Sequence, residues 1–350
     1  MGRSDSRTPA LPREPASRSG PTDRGAGPAG RSMRWVKMPH LRQHRHHRDP
    51  AIAPTPKAAI VHRHLPGLLI GAAFALGLAA QPAPAQGGPD TLEKIRAAKQ
   101  INVAFSGDSL PFSYVEKDNQ PAGYSIDLCR TVIAHLGRAV GVPDLKVTWL
   151  VGTVAERVQM VASGKADLDC ANTTATQTRM RTVDFSGLIF VEAGGFLVTA
   201  GSPIRKIADM EGRRIGVIAG TTTETRLLQA LKEVPVNAKV TRLKDGNEGV
   251  AMLESGSLDA FASDKIKLVG LSSQAKDPAK LALLGEDLSF EPLAFAVPRG
   301  DSNFRLEVNK ALTRTYAGGE IDPIFRKWFA AFGRPSALLA AVFVLNAVPE

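Results

Sequence analysis

With 350 residues, 43 % of them hydrophobic, the chain is long enough to bury two lobes with separate cores. Its formal charge of +10 is unevenly spread, since residues 1–85 hold 13 of the 44 Lys and Arg but only 4 of the 34 Asp and Glu. The rest is close to neutral and only 6 % of the chain is aromatic, which excludes nucleic acid as a partner of a basic, base-stacking surface.

Residues 1–63 are rich in Arg, Pro, Gly, Ser and His and read as a disordered basic leader, with Met33 and Met38 as alternative starts. Residues 64–85 read as a signal peptide. The apolar run Leu65–Ala80 is 16 residues long, short of the roughly 20 that a spanning helix needs. Lys57 and Arg63 precede it, and the small-x-small pattern Ala83-Pro84-Ala85 follows. Export to the periplasm with cleavage near Ala85 is the expectation; an uncleaved anchor is the alternative. Export would leave Cys129 and Cys170 in an oxidising compartment, where a bridge or two separately buried thiols both fit the sequence.

From Thr91 onward, strand and helix patterns alternate. Strands are expected at Gln100–Phe105, Leu145–Leu150 and Ala166–Cys170, with helices at Tyr124–Leu136 and Val154–Ser163. The plan repeats with strands at Arg214–Ala219, Ala238–Leu243 and Asp259–Ala262 and helices at Thr222–Lys232 and Gly246–Ser255. Such alternation implies parallel sheets covered by helices. Met160-Val-Ala-Ser-Gly-Lys-Ala-Asp167 and Met252-Leu-Glu-Ser-Gly-Ser-Leu-Asp259 share M-x-x-S-G-x-x-D, each a helix stopping at Gly before a strand starting at Asp. Ala337–Ala347 is too short for a span and reads as a docking helix.

Nucleotide-loop, nucleophile-elbow, zincin and C-x-x-C signatures are missing, and His135 is the one His after residue 85. The strand-to-helix turns are more informative, because open α/β sheets bind ligands there. Asn172-Thr-Thr174 and Thr176 to Arg179 offer hydroxyls and a guanidinium at an expected helix start, suited to a carboxylate. Gly220-Thr-Thr-Thr223 offers hydroxyls at the matching turn of the second half, and Ser263-Asp264 a carboxylate suited to an ammonium. A helix-capping role is the alternative for each. Together they would hold a zwitterion between two lobes.

At these residues the chain resembles the bacterial extracellular solute-binding proteins of family 3, over about Thr91 to Phe332. The resemblance rests on Leu110-Pro-Phe-Ser-Tyr114, Gly123-Tyr-Ser-Ile-Asp127, Ser163-Gly-Lys-Ala-Asp167, Asn172-Thr-Thr174, Thr178-Arg179, Val183-Asp-Phe-Ser186, Gly220-Thr-Thr222 and Lys327-Trp-Phe329. It is nearest to the glutamate/aspartate-binding branch. It implies an α/β, type II periplasmic-binding-protein fold: two parallel-sheet lobes joined by a two-segment hinge near Val191–Gly195 and Glu291–Ala294. Lobe one would span 86–193, lobe two 194–290, and 291–350 would return to lobe one. The implied activity is capture of a polar amino acid and delivery to an inner-membrane ABC permease by a monomer, without cofactor or metal. Arg179 would hold the α-carboxylate with Thr174 and Thr222, beside Asn172, and Asp264 the α-ammonium. Phe112 would line the pocket and Arg157 would meet acidic side chains.

Two departures stand out. Ser106 occupies a position where glutamate/aspartate binders carry Arg, and Gly246 one where they carry His. Uncharged polar amino acids are therefore expected to bind at least comparably to glutamate. The rival reading is a lyase of the same fold, similar to cyclohexadienyl dehydratase, with Asp108, Asp127 or Glu192 as general acid.

Overall fold

A computed structural model of the chain describes residues 90–349. The expected leader, signal peptide and cleavage point lie outside these residues. Among those described, no helix is long and apolar enough to cross a membrane.

The first lobe is built from α1 (Thr91–Ala98), β1 (Gln100–Phe105), three short strands β2 (Asp108–Ser109), β3 (Ser113–Val115) and β4 (Pro121–Ala122), α2 (Tyr124–Ala139), β5 (Lys146–Val151), α3 (Val154–Ala162) and β6 (Leu168–Asp169). Strands β5, β1 and β6 run parallel. On α2, Ile126, Cys129, Val132, Ile133 and Leu136 recur at helical spacing and are buried. The chain then leaves through one long strand, β7 (Val183–Thr199). The second lobe holds β8 (Arg214–Ile218), α4 (Thr222–Glu233), β9 (Lys239–Leu243), α5 (Gly246–Glu254), β10 (Ala260–Asp264), α6 (Lys265–Ser273) and β11 (Leu281–Leu283), with β9, β8 and β10 again parallel. The return strand β12 (Ser289–Pro298) leads to α7 (Ser302–Ala317), α8 (Ile321–Phe329) and α9 (Ala337–Asn346). These helices complete the first lobe's core: Phe304, Phe329 and Phe343 share one cluster with Ile95, Tyr124 and Phe190.

Two expectations change. The parallel triplets are not separate sheets, because β7 and β12 pair antiparallel and join them into one nine-stranded sheet of order β5-β1-β6-β12-β7-β10-β8-β9, with β11 on β7. The two hinge segments face each other at the crossing, where Glu291 is registered on Glu192. The expected helix start after Asn172 is also absent. Ala175 N–H bonds the Pro292 carbonyl and Ala294 N–H the Thr173 carbonyl, so the chain stays extended along β12. Only one 3₁₀ turn, Arg179–Arg181, forms before β7. The third strand is shorter than Ala166–Cys170, although Asp167 and Cys170 still bond β1 through their N–H groups.

The repeated motif is one clasp used twice. Gly164 (φ 75°) and Gly256 (φ 70°) take the left-handed turn after α3 and α5, a conformation glycine adopts without a Cβ penalty. Asp167 then accepts from Asn102 N–H at 2.8 Å and Asp259 from Arg214 N–H at 2.7 Å, pinning the start of each lobe's first strand. Cys129 on α2 and Cys170 after β6 are bridged, with Cα atoms 5.9 Å apart.

Candidate functional site

A cavity of about 520 Å³ opens between the lobes where the strand-to-helix turns meet. Ser106 and Asp108 after β1, Arg157 on α3, and Asn172, Thr174 and Arg179 after β6 line it from lobe one. Thr222 at the start of α4, Asp264 at the end of β10 and Lys267 on α6 line it from lobe two.

The capping alternatives separate here. Thr221, not Thr222, caps α4, its side chain accepting from Glu224 N–H. Asp264 precedes α6 yet makes no capping bond. Both side chains are thereby free to face the cavity. Asp264 accepts from Asn172 Nδ2 at 2.9 Å, across the cleft, and from Thr223 Oγ1 at 3.3 Å. Burial, with the nearby Glu291 carboxylate, pushes the Asp264 carboxyl up to about 6. A ligand cation placed there would relieve both effects.

Arg179 is the complementary group. Its Nη1 donates to the Thr174 carbonyl at 2.8 Å, and among the described residues its guanidinium makes no ion pair. Burial and the neighbouring Arg157 lower its pKa, so an anion beside it would be stabilised. The other cationic side chains on the cavity wall are already matched: Arg157 by Asp169 at 2.9 Å, Lys267 by Asp108 at 2.9 Å and Lys244 by Asp245 at 3.4 Å.

Arg157 therefore differs from its expected role. It reaches the wall, but it is only 3 % exposed, and its Nε, Nη1 and Nη2 donate to Asp169, the Gly152 carbonyl and Thr173 Oγ1. Its charge is spent inside lobe one. Phe112 is a correction outright: it is absent from the cavity lining and fully buried among Tyr124, Phe190 and Phe329, with ring centroids 5.0 to 6.3 Å away. An apolar ring in a pocket wall and one in the core look alike in sequence. Ser106 lines the cavity but turns its hydroxyl to Asp108 Oδ1 (3.0 Å) and Ser109 Oγ (2.8 Å).

Glu291 was not singled out as a site residue by the sequence. It is 1 % exposed on β12, and its Oε2 accepts from Thr174 Oγ1 at 2.7 Å and Thr222 Oγ1 at 2.9 Å, tying both lobes to the hinge. A lone carboxylate in the apolar run Leu288–Val297 was the available signal. Facing it, Glu192 accepts from Ile266 N–H while its buried Oε1 has no partner among the described residues, and burial together with Asp264 pushes its carboxyl well above the usual range. Lys267 was missed too, hidden as an ordinary helix lysine.

The profile of bacterial extracellular solute-binding proteins, family 3, matches residues 101–331. The L-glutamate/L-aspartate-binding protein of Pseudomonas aeruginosa is 35 % identical over 263 residues, covering 75 % of this chain and 87 % of that one. The glutamate/aspartate import solute-binding protein of Salmonella typhimurium is 29 % identical over 75 % of this chain and 86 % of its own. Among solved structures, an ancestral arginine-binding protein bound to arginine superposes with a TM-score of 0.60 at 28 % identity, covering 66 % of this chain and 98 % of that one.

Proposed function

The chain belongs to the bacterial extracellular solute-binding proteins, family 3, and we propose that it captures a polar amino acid between its lobes and hands it, unchanged, to an inner-membrane ABC permease. One observation carries this reading. A cation on lobe one, Arg179, and an anion on lobe two, Asp264, border the same cavity, and neither makes an ion pair among the described residues. Arg179 takes the α-carboxylate through its forked guanidinium, with Thr174 and Thr222 bordering the cavity but donating their hydroxyls to Glu291, and Asp264 takes the α-ammonium beside Asn172. Contacts from both lobes to one ligand favour the closed state by differential affinity, with β7 and β12 as the hinge. The protein works in the periplasm as a monomer.

The lyase reading has less support. Of its three candidate acids, Asp127 is bound to Arg130, Lys327 and Trp328 away from the cavity. Glu192 does not line the cavity either. Asp108 lines it but is held ionised by Lys267, the Gly246 amide and the Ser106 hydroxyl. A thermal-shift panel of the twenty amino acids on the mature protein, followed by calorimetric titration of the hits, tests the receptor reading. One or a few polar amino acids should bind with a stoichiometry of one, and a panel without any response would refute it.

A further inference from the structure

Resting on the receptor reading, we infer that Asp108 sets specificity at this site: its carboxylate fills, from within the chain, the anion place in which the side-chain carboxylate of an acidic amino acid would sit. The surroundings of Asp108 are those of a bound anion. From lobe two, the N–H of Gly246, first residue of α5, donates to Oδ2 at 2.7 Å and Lys267 Nζ to the same oxygen at 2.9 Å. From lobe one, the Ser106 hydroxyl donates to Oδ1 at 3.0 Å. The first N–H groups of a helix lack partners within it and favour an anion. Lys267 is buried, and Asp108 is its ion-pair partner among the described residues. Asp108, Ser106 and Lys267 all border the cavity.

Gly246 makes the arrangement possible. A Cβ there would lie 2.5 Å from Leu271 Cδ1 and 3.1 Å from Lys267 Cε, so a side chain would displace the lysine stem. Without one, Lys267 reaches Asp108 across the cleft. Burial acts to raise the Asp108 carboxyl, but Lys267, the Gly246 amide and the Ser106 hydroxyl outweigh it and hold it at about 2.

An acidic ligand would therefore bring a second carboxylate to a wall whose anion place is taken, and a basic one would meet Lys267. The Asp108–Lys267 pair is neutral as a unit and offers hydrogen bonding, which suits an uncharged amide or hydroxyl side chain. Asp108→Ser vacates the place and leaves Lys267 and the Gly246 N–H to the ligand.

Titration of glutamine and glutamate into the wild type and Asp108→Ser tests this, with Asp108→Asn as a variant of unchanged shape. The wild type should prefer glutamine. The ratio of glutamate to glutamine affinity should rise at least tenfold in the serine variant, and also rise in the asparagine one. Acetate at millimolar concentration should raise the melting temperature of Asp108→Ser and leave that of the wild type unchanged. An unchanged ratio together with no acetate response in folded variants overturns the assignment. Acetate stabilisation of Asp108→Ser, with no amino acid binding to either protein, upholds the anion place and overturns the receptor reading instead.

Discussion

Replacing Arg179 by Ala should abolish amino-acid binding while sparing the fold. Among the described residues the guanidinium makes a single hydrogen bond, to the Thr174 carbonyl, so its removal costs about 1 kcal/mol of stability. Among the described residues, Arg157 and Lys267, the buried cations that also border the cavity, are each held by a carboxylate. Neither is free to replace it. A ligand carboxylate left in the cleft without its charged partner loses about 3–5 kcal/mol. At 1.4 kcal/mol per tenfold, that is roughly a hundredfold to several-thousandfold in Kd. Arg179→Lys should fall between, because a point charge cannot reproduce the two parallel bonds of the guanidinium. Calorimetric titration reads the affinity, and circular dichroism with thermal melting reads the fold. Affinity within a few-fold of wild type in a folded Arg179→Ala protein would refute the assignment.

Asp264 should make binding pH-dependent. Its carboxyl stands near 6, and a ligand ammonium requires it ionised. Affinity should thus hold above pH 6 and fall below it, approaching tenfold per unit, with proton release visible as a buffer-dependent binding enthalpy. The same upward shift stabilises the empty fold in acid: the contribution is complete below about pH 4 and is lost as pH rises through 6, so stability and affinity move oppositely. Arg157→Ala should act on stability, lowering it by about 3–5 kcal/mol in urea unfolding, because fully buried Asp169 loses its ion pair; a loss of ligand affinity with stability intact would show that Arg157 serves the ligand after all. The Cys129–Cys170 bridge closes a sequence separation of 41, and its removal should cost about 4 kcal/mol in the chain-entropy account. Alkylation of periplasm-derived protein without reductant should label neither cysteine, and two labelled thiols would contradict the pairing.

Much of this fold was legible because it is local. Hydrophobic periodicity marks α2, and the twin Ser-Gly-x-x-Asp motifs mark two helix stops whose dihedrals and hydrogen bonds prove equivalent. Asp264 was legible as a charge at a strand-to-helix turn and borders the cavity there; Arg179 borders it too, but from beyond an extended segment and not from the expected helix start. What stayed hidden depends on pairing across distance. The segment after Asn172 reads as a helix start by composition, and backbone bonds to β12, more than a hundred residues away, keep it extended. Arg157 reads as a free cation until its helix is seen to place it on Asp169. The Asp108–Lys267 pair joins two lobes and leaves no mark in either local pattern.

The most direct measurement is mass spectrometry of what the mature protein carries when purified from periplasm and denatured. The receptor account predicts a single unmodified amino acid with an uncharged polar side chain, near one per protein and lost from Arg179→Ala. A product of turnover, or an empty wild-type cleft that no amino acid fills, would contradict it.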